Sequence, residues 1–262
     1  MQPNSLAKIR YVLCVRLKRR AIIIAFFGIT ARDESQKALM HALINDKPFT
    51  FVTGPSGCGK TLIAQAVGLE QVIEEQRFRK MIYTRMQTQV GENLGALPGD
   101  INEKTFPFIS PFMDNLEEMS DEAGLIKQYI LAGNDDKRKI FFDPIQTVRG
   151  RSLNHTYLLA DETQNLDVFT IAALATRPGI NAKFVFAGNF AQIDNAKLRV
   201  PEKNGLYRLL KGLYDRDAHE YFDHINLTEV QRHPAVTIVE DILRTHEIPQ
   251  EFIELEARGN VI

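Results

Sequence analysis

The stretch Gly54-Pro55-Ser56-Gly57-Cys58-Gly59-Lys60-Thr61 decides the fold of this 262-residue chain. It matches G-x-x-x-x-G-K-[ST], the phosphate-binding loop. Residues 49–53 precede it as a β-branched and aromatic run, which predicts a buried strand. Residues 62–72 follow it with apolar side chains at helical spacing. This order of strand, glycine-rich loop and helix predicts a nucleotide site, because loop N–H groups and a helix N-terminus attract phosphate.

The residues of the loop have different expected roles toward ATP and Mg²⁺. Lys60 is expected to reach the β- and γ-phosphates, and the Thr61 hydroxyl to ligate Mg²⁺. The other loop residues are expected to surround the phosphates, and they are Gly54, Pro55, Ser56, Gly57, Cys58 and Gly59. The alternative is an ordinary glycine-rich turn, which the flanking strand and helix make the weaker interpretation.

The composition indicates an ordinary globular protein. Hydrophobic residues make up 44% of the chain and charged residues 25%. A net charge of −1 excludes a uniformly basic protein, so any nucleic-acid contact must come from a local patch. The two cysteines, Cys14 and Cys58, form no disulfide framework and favour a reducing, cytoplasmic location.

Residues 1–32 have two interpretations. Basic residues precede the apolar run Ala21–Ile29, which gives a faint likeness to a signal peptide. That run is too short for a membrane helix, which needs about 20 residues, so we expect no membrane partner. We favour a β-rich N-terminal extension, a hairpin with Val12, Leu13 and Val15 in one arm.

Apolar strands alternate with helices along the rest of the chain. The predicted strands are residues 49–53, 81–84, 140–142, 157–160 and 183–187, with an edge strand at 226–228. The predicted helices are residues 33–44, 62–72, 120–131, 167–176, 205–213 and 235–245. Residues 85–111 are predicted as a long ordered loop broken by short helices. This alternation predicts a mostly parallel α/β sheet with helices on both faces, in a single domain over residues 33–247 with a tail at 248–262.

Two acids follow the predicted strand 157–160. Asp161 is expected to hold the Mg²⁺ shell together with Thr61, and Glu162 to orient or deprotonate the attacking water. The alternative is a strand that ends in two solvated acids. The upstream phosphate loop favours the catalytic interpretation, because ligands of parallel sheets bind at the carboxyl ends of the strands.

Polar residues also leave the strand 183–187. Asn189 could bond the γ-phosphate or the water, and Gln192 could report the nucleotide state to a neighbouring element. A simple Gly-Asn turn explains the same residues equally well.

Three arginines are candidates for nucleic-acid contacts, and they are Arg85, Arg149 and Arg151. Taken singly, each is also explained as a solvated surface side chain.

Together these stretches resemble the PhoH-like family of phosphate-starvation-inducible-type ATPases, which is related to the RecA-like core of superfamily 1 helicases. The resemblance covers about residues 30–245. It rests on Gln36, Gly54–Thr61, Thr84–Arg85, Leu94–Asp100 with Glu103–Lys104, Arg149–Leu153, Asp161–Asn165, Gly188–Gln192 and Arg232–Pro234. Three positions depart from the family pattern: Asn189 stands where aspartate is usual, Thr163 where alanine is usual, and Met86 where proline is common.

The resemblance implies an α/β, RecA-like P-loop NTPase that hydrolyses ATP with Mg²⁺. It further implies coupling to RNA or single-stranded nucleic acid as a helicase-like motor, and it implies that Gln36 reads adenine. The length suits the short single-core form that phages often carry, which would place the protein in the host cytoplasm.

Related helicases bind ATP between two cores, so a single core implies a neighbouring subunit. We therefore expect a homo-oligomeric ring, with a hexamer as the hypothesis. In such a ring Arg232 would act on the neighbour's ATP, and its alternative is an ion pair with Glu229 or Asp241.

Two other function classes stay open at this stage. Asn189 leaves room for a nucleotide-binding module with little turnover. A small-molecule kinase could use the same loop, although paired acids after the strand favour water as the acceptor.

Overall fold

A sheet of six parallel strands forms the centre of the computed structural model, which describes residues 25–86, 101–119, 138–143, 145, 152–243 and 246–260. The strands, including those of a short antiparallel hairpin made by the first two, are β1 (Ala25–Phe26), β2 (Ile29–Thr30), β3 (Phe49–Thr53), β4 (Lys80–Arg85), β5 (Ile140–Phe142), β6 (Thr156–Asp161), β7 (Lys183–Ala187) and β8 (Phe222–Asn226). The sheet order is β5-β4-β6-β7-β3-β8. The strand that leads into the phosphate loop, β3, therefore lies between β7 and β8.

Helices cover both faces of the sheet. They are α1 (Glu34–Ile44), α2 (Lys60–Leu69), α3 (Ile101–Glu117), α4 (Val168–Ala175), α5 (Gly205–Tyr214), α6 (Ala235–Leu243) and α7 (Gln250–Ala257). A π-helical turn at Glu70–Glu74 extends α2, and 3-10 turns lie at Thr163–Asn165, Ala196–Arg199 and Pro201–Lys203. No helix within the described residues is both long and apolar enough to cross a membrane.

The strands alternate their side chains between two apolar cores, because successive residues of a strand point to opposite faces. Val52 packs with α1, α2 and α3 on one face, while Phe51 packs with α4, α5 and α7 on the other. The Phe51 and Phe186 rings stack across β3 and β7 at 5.3 Å. Because both faces of the sheet are buried, the sequences of these strands are continuous apolar runs.

The α/β fold class is confirmed, and most predicted elements occur within a few residues of their predicted bounds. The predicted edge strand at 226–228 lies at Phe222–Asn226 and pairs with β3. The prediction of a loop over 85–111 is wrong for its last part, which belongs to α3. The two prolines of this segment argue against a helix in the sequence. In the structure the helix is held because its buried residues Phe112 and Leu116 pack in the same core as α2.

The chain ends also differ from the prediction. Phe26 and Phe27 of the predicted N-terminal extension are buried in the core. Residues 250–257 of the predicted tail form α7, whose Phe252 and Leu255 are buried beneath β7 and α5. Other predictions lie outside the described residues: the hairpin arm at 12–15, residues 87–100 of the predicted loop, the helix at 120–131, Arg149 and Arg151.

Candidate active site

The phosphate loop joins β3 to the first turn of α2. Gly54, Gly57 and Gly59 all have positive φ, of 129°, 75° and 92°. At two of these glycines, close neighbours also leave no room for a side chain. A Cβ on Gly54 would lie 2.1 Å from the Leu227 carbonyl oxygen, and a Cβ on Gly57 would lie 2.5 Å from Arg232 Cδ.

The segment after β8 forms the back wall of this loop. The Leu227 N–H donates to the Thr53 carbonyl at 2.9 Å, and the Gln231 N–H donates to the Gly57 carbonyl at 3.0 Å. These bonds hold residues 227–232 against the start and the middle of the phosphate loop. The shape of the loop therefore depends on the segment that follows β8.

Lys60 occupies the first position of α2 and folds back over the loop. Its Nζ donates to the carbonyls of Gly54 at 2.8 Å and Pro55 at 2.6 Å. The ammonium thus lies at the mouth of the loop, where phosphate oxygens could take the place of these two acceptors.

Asp161 is brought to the loop by β6, as predicted. The Thr61 hydroxyl donates to Asp161 Oδ1 at 2.9 Å, and the Tyr83 hydroxyl donates to Asp161 Oδ2 at 3.0 Å. Asp161 is buried. Tyr83, which no sequence motif singles out, holds the carboxylate in a fixed orientation toward Thr61.

Glu162 follows in a left-handed backbone conformation, with φ 54°. Such a conformation is strained for a glutamate and is often found at functional sites. Burial and the neighbouring Asp161 raise the pKa of this carboxyl above its ordinary value. A glutamate with a raised pKa is a stronger base, which suits proton abstraction from water.

Arg85 pairs with both acids of this strand end. Its guanidinium lies 3.3 Å from Glu162 Oε1 and 3.8 Å from Asp161 Oδ2. Opposite charge draws Arg85 to the two carboxylates, and the side chain lines the cleft beside the phosphate loop. The predicted contact of Arg85 with nucleic acid stays a prediction.

Gln164, whose role no sequence motif states, connects Glu162 to the loop after β7. Its Nε2 donates to Glu162 Oε2 at 2.6 Å and to the Gln192 carbonyl at 3.1 Å, while its Oε1 accepts the Asn189 N–H at 3.1 Å. Gln164 is fully buried. A long polar side chain buried between two strand ends joins them rigidly, because an unpaired amide there is costly.

Asn189 has a structural role as well as a place in the cleft. Its Oδ1 accepts the Ala191 N–H at 3.0 Å, which closes a local turn that an aspartate would also close. Gln192 reaches away from the sheet, and its Nε2 lies 3.3 Å from Glu240 Oε1 on α6. Thr163, a second departure from the family pattern, is accommodated because its hydroxyl donates to the Ala187 carbonyl at 2.8 Å.

Gln36 bridges the N-terminal segment and the loop. Its Oε1 accepts the Arg32 N–H at 2.9 Å, and its Nε2 donates to the Cys58 carbonyl at 3.0 Å. The residue lines the cleft next to the loop. Contact with adenine stays a prediction.

Arg232 lies in the cleft of its own chain. Its Nη1 is 3.4 Å from Ser56 Oγ, and its aliphatic carbons cover Gly57. The hypothesis that Arg232 acts on a neighbour's nucleotide finds no support in this geometry, since the side chain already faces the loop that precedes α2.

Cys58 is fully buried. Its Sγ donates to the Pro55 carbonyl at 3.0 Å and lies 3.5 Å from Lys60 Nζ. The thiol therefore faces the inside of the loop.

One cleft of about 720 Å³ brings most of the predicted residues together. From the sequence analysis it contains Gln36, Ser56, Gly57, Gly59, Lys60, Thr61, Arg85, Asp161, Glu162, Asn189, Gln192 and Arg232. Gly54, Pro55 and Cys58 are not among the residues that line it. The cleft also includes residues that the sequence analysis did not single out, among them Arg32, Asn115, Gln164 and Gln231.

The donor atoms of the cleft fit Mg²⁺ held chiefly by a nucleotide. Within the described residues no group of three or more His, Cys, Asp or Glu side chains could hold a metal ion alone. Thr61 and Asp161 offer two adjacent hard oxygens, and Mg²⁺ commonly takes one or two protein oxygens with phosphate and water as the remaining ligands.

Comparison with known proteins identifies the family. A sequence model of the family described as PhoH-like protein matches residues 28–244, which contain every residue of the cleft. The chain belongs to the PhoH-like protein family. This PhoH-like chain therefore has the phosphate loop and the parallel α/β sheet of a P-loop NTPase.

Relatives of this PhoH-like chain are longer. The protein PhoH2 of Thermobispora bispora is 30% identical over 220 residues, which cover 83% of this chain and 48% of that protein. The PhoH-like protein of Mycobacterium tuberculosis is 31% identical over 233 residues, covering 88% of this chain and 63% of that protein. The chain thus spans between about half and just under two thirds of the length of these relatives. Among solved structures, the Pif1 helicase from Candida albicans matches 88% of this chain and 47% of its own, with 15% identity and a TM-score of 0.42.

Proposed function

We propose that this chain binds ATP with Mg²⁺ in the cleft and hydrolyses it. The observation that carries the proposal is the 2.9 Å bond between the Thr61 hydroxyl and Asp161 Oδ1, at the mouth of the phosphate loop. These two oxygens come from separate motifs, and their meeting beside Lys60 is the arrangement that a nucleotide-bound Mg²⁺ requires.

Each side chain then has a task that follows from its position. Lys60 and the loop amides bind phosphate oxygens and offset their charge. Mg²⁺, when bound, would neutralise charge on the phosphates, and Thr61 and Asp161 would hold it. Glu162, with its raised pKa, accepts a proton from the attacking water, and Arg232 approaches the same phosphates from the other wall.

Coupling to RNA or single-stranded nucleic acid is the second part of the proposal. It is supported by the resemblance of the sequence to helicase-related ATPases and by Arg149 and Arg151, which lie outside the described residues. Assembly into a ring remains a hypothesis. Arg232 lies in the cleft of its own chain, which removes one reason to expect a neighbouring subunit there.

The test is ATP turnover measured without polymer, with RNA and with single-stranded DNA, on protein of known oligomeric state. The expected result is Mg²⁺-dependent phosphate release that a polymer stimulates and that the Lys60→Ala variant lacks. Binding without release in any condition would leave a nucleotide-binding module. Phosphate transfer to nucleosides in place of water would indicate the kinase alternative.

The arginine pair is tested in the same preparation. The double variant Arg149→Ala, Arg151→Ala should bind RNA more weakly and with a flatter salt dependence. Each phosphate contact releases counterions on binding, so a protein that makes fewer contacts releases fewer of them. Its affinity for ATP should stay at the parent value. Lost ATP affinity with normal RNA binding would place these arginines at the nucleotide instead.

A further inference from the structure

The helix α7 lies beyond the residues that the family model matches, yet it packs directly behind the active site. Its Phe252 ring stacks on Phe190 with centroids 4.6 Å apart and an angle of 8° between the rings. Phe190 follows Asn189 in the loop after β7, and both aromatic rings are fully buried. The loop that carries Asn189 and Gln192 therefore rests on α7.

Glu256 contacts the same loop from the next turn of α7. The Phe190 backbone N–H lies within hydrogen-bonding reach of the carboxylate. The Oε1 atom of Glu256 is buried without a hydrogen-bond partner. A buried carboxylate with an unpaired oxygen is costly when ionised, whereas a protonated carboxyl is tolerated.

The segment after α7 fixes the helix at the sheet edge. The Asn226 N–H at the end of β8 donates to the Gly259 carbonyl at 2.7 Å, and Asn226 Nδ2 donates to Asn260 Oδ1 at 2.9 Å. These bonds join α7 to the strand that leads into the back wall of the phosphate loop.

Within the part of the chain that the structure describes, few charged groups face Glu256. Burial raises the pKa of Glu256 to about 7, while the Phe190 N–H and the positive charge of Lys60 oppose this rise. From α5 the neighbouring group is Tyr207, whose ring lies against Phe252. From β8 it is His224, which contacts Gly259 and is kept neutral because burial lowers its pKa to about 3.

We propose that α7 positions the loop 189–192, and that nucleotide binding is accompanied by uptake of a fraction of a proton from solvent at Glu256. Phosphates bound at Lys60 would offset the positive charge that, among the described residues, favours the ionised carboxylate. The protonated form of Glu256 then becomes more favourable, and by linkage affinity for nucleotide falls as pH rises through 7. Phe252 and Glu256 are positioning residues, since they act through Phe190. This inference rests on the proposed nucleotide site.

The test compares the parent with Glu256→Gln, which keeps the shape of the protonated carboxyl. Glu254→Gln, an exposed change on the same helix, is the matched control. Calorimetry with MgADP between pH 6 and 8.5, in buffers of different ionisation enthalpy, should show proton uptake and a loss of affinity of about three- to tenfold in the parent and the control. Glu256→Gln should show a smaller uptake and a flatter profile.

A second measurement uses protein without nucleotide. A pKa raised from 4.5 to about 7 stabilises the fold fully below pH 4.5, and this stabilisation is lost as pH rises through 7. The melting temperature of Glu256→Gln should therefore gain on that of the parent between pH 5 and 8. Equal pH profiles of the two proteins in both measurements overturn the inference and leave the nucleotide site standing. A parent that binds no MgADP at any pH overturns both.

Discussion

The Gln164 side-chain amide donates to the Glu162 carboxylate at 2.6 Å and, through the same nitrogen, to the carbonyl of Gln192 at 3.1 Å. The proposed catalytic base and the loop after β7 thus share one buried donor. The position of Glu162 therefore depends on the position of that loop.

Replacing Gln164 by Ala should slow ATP turnover at least about tenfold while MgADP affinity changes little, because a hydrogen bond to a charged group contributes about 1.5–3 kcal/mol. Steady-state turnover and calorimetry measure the two effects. Gln71→Ala is the control, since Gln71 is also a buried glutamine but bonds to the Leu43 and Val67 carbonyls away from the cleft. Equal losses in both variants would mean that Gln164 only supports the fold.

Replacing Lys60 by Ala should abolish tight MgATP binding and leave the circular dichroism spectrum and melting temperature near the parent values. Among the described residues the side chain bonds to loop carbonyls and to the Cys58 sulfur alone, so we expect its removal to leave no apolar cavity. The exposed change Lys197→Ala serves as the control. Unchanged ATP affinity in Lys60→Ala contradicts the assignment of the phosphate loop.

Glu162→Gln should bind ATP but hydrolyse it at least about tenfold more slowly, which is about 1.4 kcal/mol of barrier. The parent should also lose turnover toward acid pH as Glu162 becomes protonated. Because burial raises the pKa of Glu162, this loss should begin at a higher pH than for a free glutamate. Single-turnover rates against pH give both quantities, and parental turnover in the variant excludes Glu162 as the base.

Cys58 should react slowly with thiol reagents in the folded protein, because its side chain is buried and faces the inside of the loop. In a Cys14→Ser background we expect labelling at least tenfold slower than in denatured protein, and slower still with MgADP. Mass spectrometry over time gives the rates. Fast labelling that MgADP does not change would show that the thiol is accessible outside the loop.

Arg232 and Lys60 should act in the same cleft of one chain. If Arg232→Ala and Lys60→Ala are each inactive, their mixtures should stay inactive after subunit exchange has been demonstrated. Recovery of activity in mixed assemblies would show instead that Arg232 serves the neighbouring subunit.

The sequence predicts the parts of this site that local chemistry defines. Lys60, Thr61 and Asp161 belong to short motifs, and the motifs state the roles directly. Tyr83 and Gln164 could not be assigned in this way, because their roles depend on which strands are neighbours. Only the pairing of β4 with β6 brings Tyr83 to Asp161. Gln164 stands beside a known pair of acids, but its partners Asn189 and Gln192 lie on a separate strand exit.

The elements of the fold that have a strong local pattern were also predictable from the sequence. Continuous apolar runs such as 183–187 indicate buried strands wherever they occur. Helix α3 was not predicted because its two prolines are unfavourable in a helix and its apolar face is a weak signal. In the folded protein the packing of Phe112 against α2 stabilises the helix in spite of the prolines. Helix α7 was not predicted because its buried hydrophobic residues are Phe252 and Leu255 alone. Two positions are too few to show the spacing of an amphipathic helix.

The contact between Gly54 and the Leu227 carbonyl also has a consequence for synthesis of the chain. During translation the phosphate loop leaves the ribosome long before Phe222–Asn226 and the wall behind it. A nascent chain halted before Phe222 therefore carries the complete loop sequence without the strand that completes its shape. We expect such a chain to have no nucleotide affinity, so that competence for ATP arises only when the last part of the sheet has been made.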